Sequence, residues 1–163
     1  MKLETVELKC VDCGKKFLSP SFSDFDYGVF IFSGEKGNVF GYFKAAESPV
    51  WNFIESIIKN KVSVQKAEID YGKRIQDACA HFAGTIKGQH LLSHWVCPRC
   101  YSPNIETGHH LTDAIEVLEV NHAEFLSLPE PIRRQKVLEF YESSFLRDSA
   151  EAMFKDMDQQ EST

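Results

Sequence analysis

The sequence predicts an α+β protein in which two cysteine knuckles, far apart in the chain, close on one another. Three observations carry that expectation. Four of the five cysteines stand in Cys-x-x-Cys pairs, Cys10/Cys13 and Cys97/Cys100. Two apolar runs on either side of residues 33–38 read as a β-hairpin. Apolar residues then recur at helical spacing after Ser48-Pro49 and again after Pro131. At 163 residues the chain is long enough for one domain with a real core, or one domain with an insert. Its 43% hydrophobic and 26% charged residues are an ordinary globular balance.

Val6, Leu8 and Cys10 alternate with polar residues, which predicts a short strand feeding the first knuckle. Residues 27–32 are apolar on both strand faces, residues 33–38 turn the chain, and 39–43 return it. Gly34 and Gly37 belong to that turn and form no phosphate-binding loop. Because neither face is polar, the hairpin is expected between two layers. Ser48 as N-cap and Pro49 at the first helical position open a helix over 49–60. Its stripe is Val50, Phe53, Ile54, Ile57 and Ile58.

Val62 and Val64 suit a strand, whereas Val64, Tyr71, Ile75, Cys79 and Phe82 suit a helix weakened at Gly72. Helix is favoured for 73–83, ended by Gly84. Residues 90–96 read as the strand entering the second knuckle, and 115–120 as another strand whose alternation Val117 and Leu118 interrupt. Asn121 with Glu124 matches a capping box. After Pro129 and Pro131, the residues Ile132, Val137, Phe140, Tyr141 and Phe145 define a long amphipathic helix, and the last dozen residues are expected to fray. The implied division is 1–20 with 90–110 as the cysteine unit, 21–89 as an inserted α/β unit, and 111–163 as a strand and C-terminal helices with an acidic tail.

Five cysteines placed at random in a chain of this length give about 0.12 pairs at this spacing, so two pairs require a cause. A tight turn lets two thiolates converge on one ion, and two such turns supply four sulfurs. Cys10, Cys13, Cys97 and Cys100 are therefore the expected ligands of one structural, tetrahedral Zn²⁺. The knuckles resemble those of zinc-ribbon proteins, whose usual form is Cys-Pro-x-Cys-Gly on the tips of two hairpins. Here Cys10-Val11-Asp12-Cys13-Gly14 keeps the glycine and Cys97-Pro98-Arg99-Cys100-Tyr101 keeps the proline. The resemblance implies a metal-binding unit and names no specific family.

Between Cys13 and Cys97 lie 83 residues, far more than in a compact ribbon. Lengthening a loop from about 20 residues to that size costs roughly 1.3 kcal/mol. Structural zinc contributes on the order of 10 kcal/mol. A zinc ribbon split by a hairpin-and-helix insert is thus physically reasonable.

Two other chemistries compete for the same residues. Cys97-Pro98-Arg99-Cys100 resembles the active site of thioredoxin-superfamily oxidoreductases, but that motif opens a helix and Pro103 opposes one here. Zinc deaminases carry His-x-Glu ahead of Pro-Cys-x-x-Cys, whereas His122-Ala123-Glu124 follows the second knuckle. His109 and His110 read as surface loop, and His81, His90, His94 and His122 have no ligand spacing. Cys79 falls on an apolar stripe and reads as an inert core thiol.

Net charge is −6, distributed as +4 over residues 59–99 and −8 over 100–163. That is well short of the basic footprint of a dedicated nucleic-acid binder. The expected role is a non-catalytic, zinc-stabilised binding or adaptor protein with a protein partner. Nucleic-acid binding is the alternative, through Lys15, Lys16, Arg99, Lys59, Lys61, Lys66, Lys73 and Arg74 with Phe17, Trp95 and Tyr101 for stacking. Thiol oxidoreduction is the second alternative. The N-terminal residues form no apolar signal region, and no apolar run reaches membrane-spanning length, so a cytoplasmic protein without membrane contact is expected.

Overall fold

A computed structural model describes residues 1–22, 28–61 and 71–144. The chain is α+β. Strands β1 (Lys2–Cys10) and β2 (Lys16–Ser21) flank the first knuckle, and β3 (Val29–Gly34) and β4 (Phe40–Lys44) form the hairpin. Helices α1 (Pro49–Lys59) and α2 (Tyr71–His81) follow, then β5 (Leu91–Leu92), β6 (Ile105–Glu116), β7 (Leu118–Glu119) and α3 (Ala123–Ser127). A last helix, α4, covers 130–144.

Two sheets result. In the first, β1 is central and pairs antiparallel with β2 and β6. In the second the order is β5-β3-β4-β7, with β7 parallel to β4. The predicted hairpin is present in register Phe30↔Phe43 and Ile31↔Tyr42, and it is covered on both faces. Phe30, Phe32 and Phe43 face a core built with Val50, Ile54, Ile58, Ile75 and Val137. Ile31, Phe40 and Tyr42 face a smaller cluster containing Leu3, Ile115 and Val117, which ties the two sheets together. Each fully buried aliphatic side chain contributes roughly 1.5–3 kcal/mol.

Helix α1 starts as its sequence dictates: Ser48 Oγ accepts from the Trp51 N–H at 3.3 Å and Pro49 opens the first turn. Val50, Ile54, Ile57 and Ile58 are buried from its stripe. Helix α2 begins earlier than expected, which puts Gly72 in its first turn, where missing side-chain contacts cost less than in a helix middle. Helix α4 carries Pro131 in its opening turn, where a proline needs no N–H partner. Val137 is buried, but Ile132 is 48% exposed and does not join the apolar face. Tyr27, residues 62–70, Phe145 and the acidic tail lie outside the described residues.

Four expectations require correction. Residues 90–96 are not a strand into the second knuckle: only Leu91–Leu92 pair, and they pair with β3. Ser93 Oγ then bonds the Asp77 carboxylate on α2 and the chain bends away. The strand expected at 115–120 breaks at Val117, which is fully buried and exchanges backbone hydrogen bonds with Met1 while the chain crosses from the first sheet to the second. His109 and His110 are exposed as anticipated, but they sit in β6 and not in a loop. Finally, the Asn121 side chain caps the Ala123 N–H at 2.7 Å in an Asx turn, so α3 opens one position later than a capping box from Asn121 requires.

Candidate metal centre

The two knuckles are built alike despite their different sequences. In the first, the Cys10 N–H donates to Lys15 O and the Gly14 N–H donates to Cys10 O, both at 2.9 Å. In the second, the Cys97 N–H donates to Ser102 O and the Tyr101 N–H donates to Cys97 O, again at 2.9 Å. The residue after the second cysteine is left-handed in both: Gly14 has φ +70° and Tyr101 has φ +60°. Glycine reaches that conformation freely, whereas a side-chain-bearing residue there costs roughly 1–2 kcal/mol. Tyr101 bears that cost while the residue stays 57% exposed.

Strand pairing brings the knuckles together. β1 delivers Cys10 at its end, and the Cys10↔Ile105 register places the start of β6, just beyond the second knuckle, beside it. A polar brace locks the approach. The Val11 N–H donates to Asn104 O at 2.9 Å. The Asp12 carboxylate accepts from Ser102 Oγ and from Asn104 Nδ2, the latter at 3.1 and 3.2 Å. The Ser102 hydroxyl and then the Asn104 amide hold the Asp12 pKa below the usual carboxylate value.

All four sulfurs of Cys10, Cys13, Cys97 and Cys100 lie within 4.8 Å of one another. The cross-knuckle distances are 3.6 Å for Cys10–Cys100 and 3.5 Å for Cys13–Cys97. These are free thiols, since a disulfide would need about 2.05 Å. A tetrahedron with metal–sulfur bonds of about 2.3 Å has sulfur–sulfur edges of roughly 3.8 Å. The cluster therefore fits a single tetrahedral ion with little adjustment. Among the described residues it is the one group of this kind.

The site favours the thiolate of Cys97 and disfavours that of Cys100. Burial opposes ionisation of Cys97, but the backbone N–H groups of Cys100 and Arg99 and the neighbouring Cys13 and Cys100 thiols outweigh it and bring its pKa to about 7. One of these contacts is the Arg99 N–H directed at Cys97 Sγ, 3.4 Å away. Cys100 moves the opposite way: the Ser102 N–H favours its thiolate, yet desolvation and the surrounding sulfurs push it up to about 12. A bound cation would reverse that second shift, because a coordinated thiol is deprotonated outright. Cys79 stays apart, fully buried, its pKa raised strongly by desolvation, and the expectation of an inert core thiol agrees with that environment.

The second knuckle rests on the hairpin turn through a contact that no sequence pattern announces. Gly37 has φ +67°, and a Cβ there would collide with Val96 O and lie 3.0 Å from Pro98 N. The buried Gln89 side chain shapes the same turn, accepting from the Lys36 N–H at 3.1 Å and donating to Asn38 Oδ1 at 2.7 Å. The Glu35 N–H completes the clamp by donating to His90 O at 2.9 Å.

The remaining residues singled out by the sequence scatter. Lys16 is paired with Glu7 at 2.9 Å, while Lys15 and Arg99 are exposed on the two knuckles. Lys73 and Arg74 line a separate cleft on α2, and Lys59 and Lys61 are exposed at the end of α1. Phe17 and Trp95 are half-buried, which leaves Tyr101 as the exposed ring of the three. Lys66 lies outside the described residues. His122 is buried against Cys79 O at 2.8 Å and does not belong to the sulfur cluster. No helix among the described residues is long and apolar enough to cross a membrane. Compared with family models, with curated proteins and with solved structures, the chain matches none.

Proposed function

We propose that the chain is a non-catalytic binding or adaptor protein stabilised by one structural Zn²⁺, held by Cys10, Cys13, Cys97 and Cys100 in a zinc ribbon split by its insert. In this reading residues 1–20 and 90–110 form the metal-bearing unit, 21–89 the insert and 111–163 its C-terminal extension. The single observation that supports it is the closed sulfur cluster: four protein ligands at tetrahedral spacing leave no position for water or substrate. A site of that kind holds surfaces in place and catalyses nothing. The second knuckle is followed by an irregular stretch and then β6, so no helix N-terminus stands ready to activate Cys97, which argues against oxidoreduction.

The test is elemental analysis of protein purified without added metal, with thiols titrated on the same sample. The reading expects one zinc per chain and four thiols masked until chelation or denaturation. Absence of metal together with a fast-reacting Cys97/Cys100 pair would replace it with the redox reading.

One observation favours nucleic acid as a second reading. Lys15, Arg99 and Tyr101 are all exposed on the knuckles, a combination of cations and a stacking ring. Electrophoretic shift of single-stranded DNA and RNA at low salt decides it. Binding that weakens steeply with salt and falls in Arg99→Ala/Tyr101→Ala would support this reading, and no shift at low salt would end it.

A further inference from the structure

Away from the cysteines, α2, β5 and α4 enclose a cleft of about 610 Å³. That is within the range of roughly 300–1,000 Å³ typical of small-molecule sites. Its apolar wall is aromatic. Phe140 stacks on His81 with ring centres 4.6 Å apart, and Phe82 meets Phe140 edge-on at 5.8 Å. Tyr141 extends this wall and carries the Arg74 guanidinium 5.6 Å above its ring.

The polar lining brings lysines together in a chain whose net charge is −6. Among the described residues, the lysines Lys73 and Lys136 and the carboxylates Asp77 and Glu139 line the cleft. Both carboxylates are occupied by neutral donors: Ser93 Oγ bonds Asp77, and Gln135 Nε2 bonds Glu139 at 2.9 Å. Lys73 and Lys136 form no ion pair among the described residues. His94 lines the same space, its pKa lowered by desolvation and by Lys73 against the opposing pull of Asp77. Two unpaired ammonium groups beside an aromatic wall suit a ligand with an anionic group on a flat body.

We propose that this cleft is a binding site for a small aromatic anion, in which Lys73 and Lys136 meet the phosphate or carboxylate and Phe82, Phe140 and Tyr141 hold the ring. The site is separate from the sulfur cluster and does not depend on the metal reading.

The test uses the full chain and 1-anilinonaphthalene-8-sulfonate as the aromatic anion, followed by fluorescence titration. One probe per chain is expected, displaced by adenosine monophosphate but not by uncharged adenosine. Lys73→Glu/Lys136→Glu should weaken the probe about tenfold, with the melting temperature unchanged because both side chains are exposed. Lys136→Gln alone should weaken it less, in the same direction, and guards against a folding defect in the double variant. Absence of probe binding, binding insensitive to both variants, or displacement by adenosine as strong as by its monophosphate would each overturn the proposal.

Discussion

The helix-covered hairpin and the three-stranded knuckle sheet are held by different means. The hairpin is an apolar sandwich: Phe32 stacks on Phe43 at 5.5 Å, and Phe30 on Trp51 at 5.4 Å, beneath the buried stripe of α1. The knuckle sheet buries Val6 and Leu8 alongside the polar Thr5 and Ser19, and β6 leaves residues 106–110 exposed along its edge. Its cohesion comes from backbone pairing, from the Asp12–Ser102–Asn104 brace and from four converging sulfurs. In the proposed reading a metal held by those sulfurs adds to this cohesion, as in many small domains. Leu3, Tyr42 and Val117 join the two regions, and Gly37 fits the hairpin turn against the second knuckle.

The largest expected effect follows from Cys10→Ser. In the proposed reading, losing one ligand strands three thiolates, and the sheet would forfeit several kcal/mol of the stabilisation that a structural zinc supplies. Metal content should fall to zero, and the drop in melting temperature should be the largest of the set. Ile54→Ala probes the other region. Removing a fully buried side chain from the main core should cost about 2–5 kcal/mol by denaturant titration, with zinc stoichiometry in the folded protein unchanged.

Gly37→Ala attacks the joint between them. Left-handed backbone and the collision with Val96 O should together cost about 1–3 kcal/mol and also weaken metal retention in a chelator competition. Asp12→Ala removes the brace without touching a ligand, and roughly a tenfold loss of metal affinity is expected. The smallest effect has the opposite sign. Tyr101→Gly relieves a left-handed tyrosine, and a gain of up to about 1 kcal/mol in denaturant stability would confirm that the two knuckles share one backbone requirement.

These two regions also differed in how plainly the sequence announced them. Helix α1 was legible to within a residue, because its cap, its proline and its stripe all act locally. The hairpin and its placement between layers followed from apolar residues on both faces. The four clustered cysteines were legible as well, since two thiol pairs at this spacing rarely arise by chance. Strand β6 was not. Gly108, His109 and His110 lie on an exposed edge strand where burial imposes no alternation, so periodicity had nothing to detect. The brace at Asp12 and the fit of Gly37 against Val96 escaped for a different reason. Both join residues far apart in the chain, and neither partner carries a local signature.

The central claim is that the metal, more than apolar packing, holds the knuckle sheet. Hydrogen exchange before and after stripping the ion with a chelator tests it directly. The account predicts that amides of β1, β2 and β6 lose protection at least tenfold more than those of α1 and α2. Unchanged exchange in β1 and β6 after complete metal removal, or no metal to remove, would contradict it.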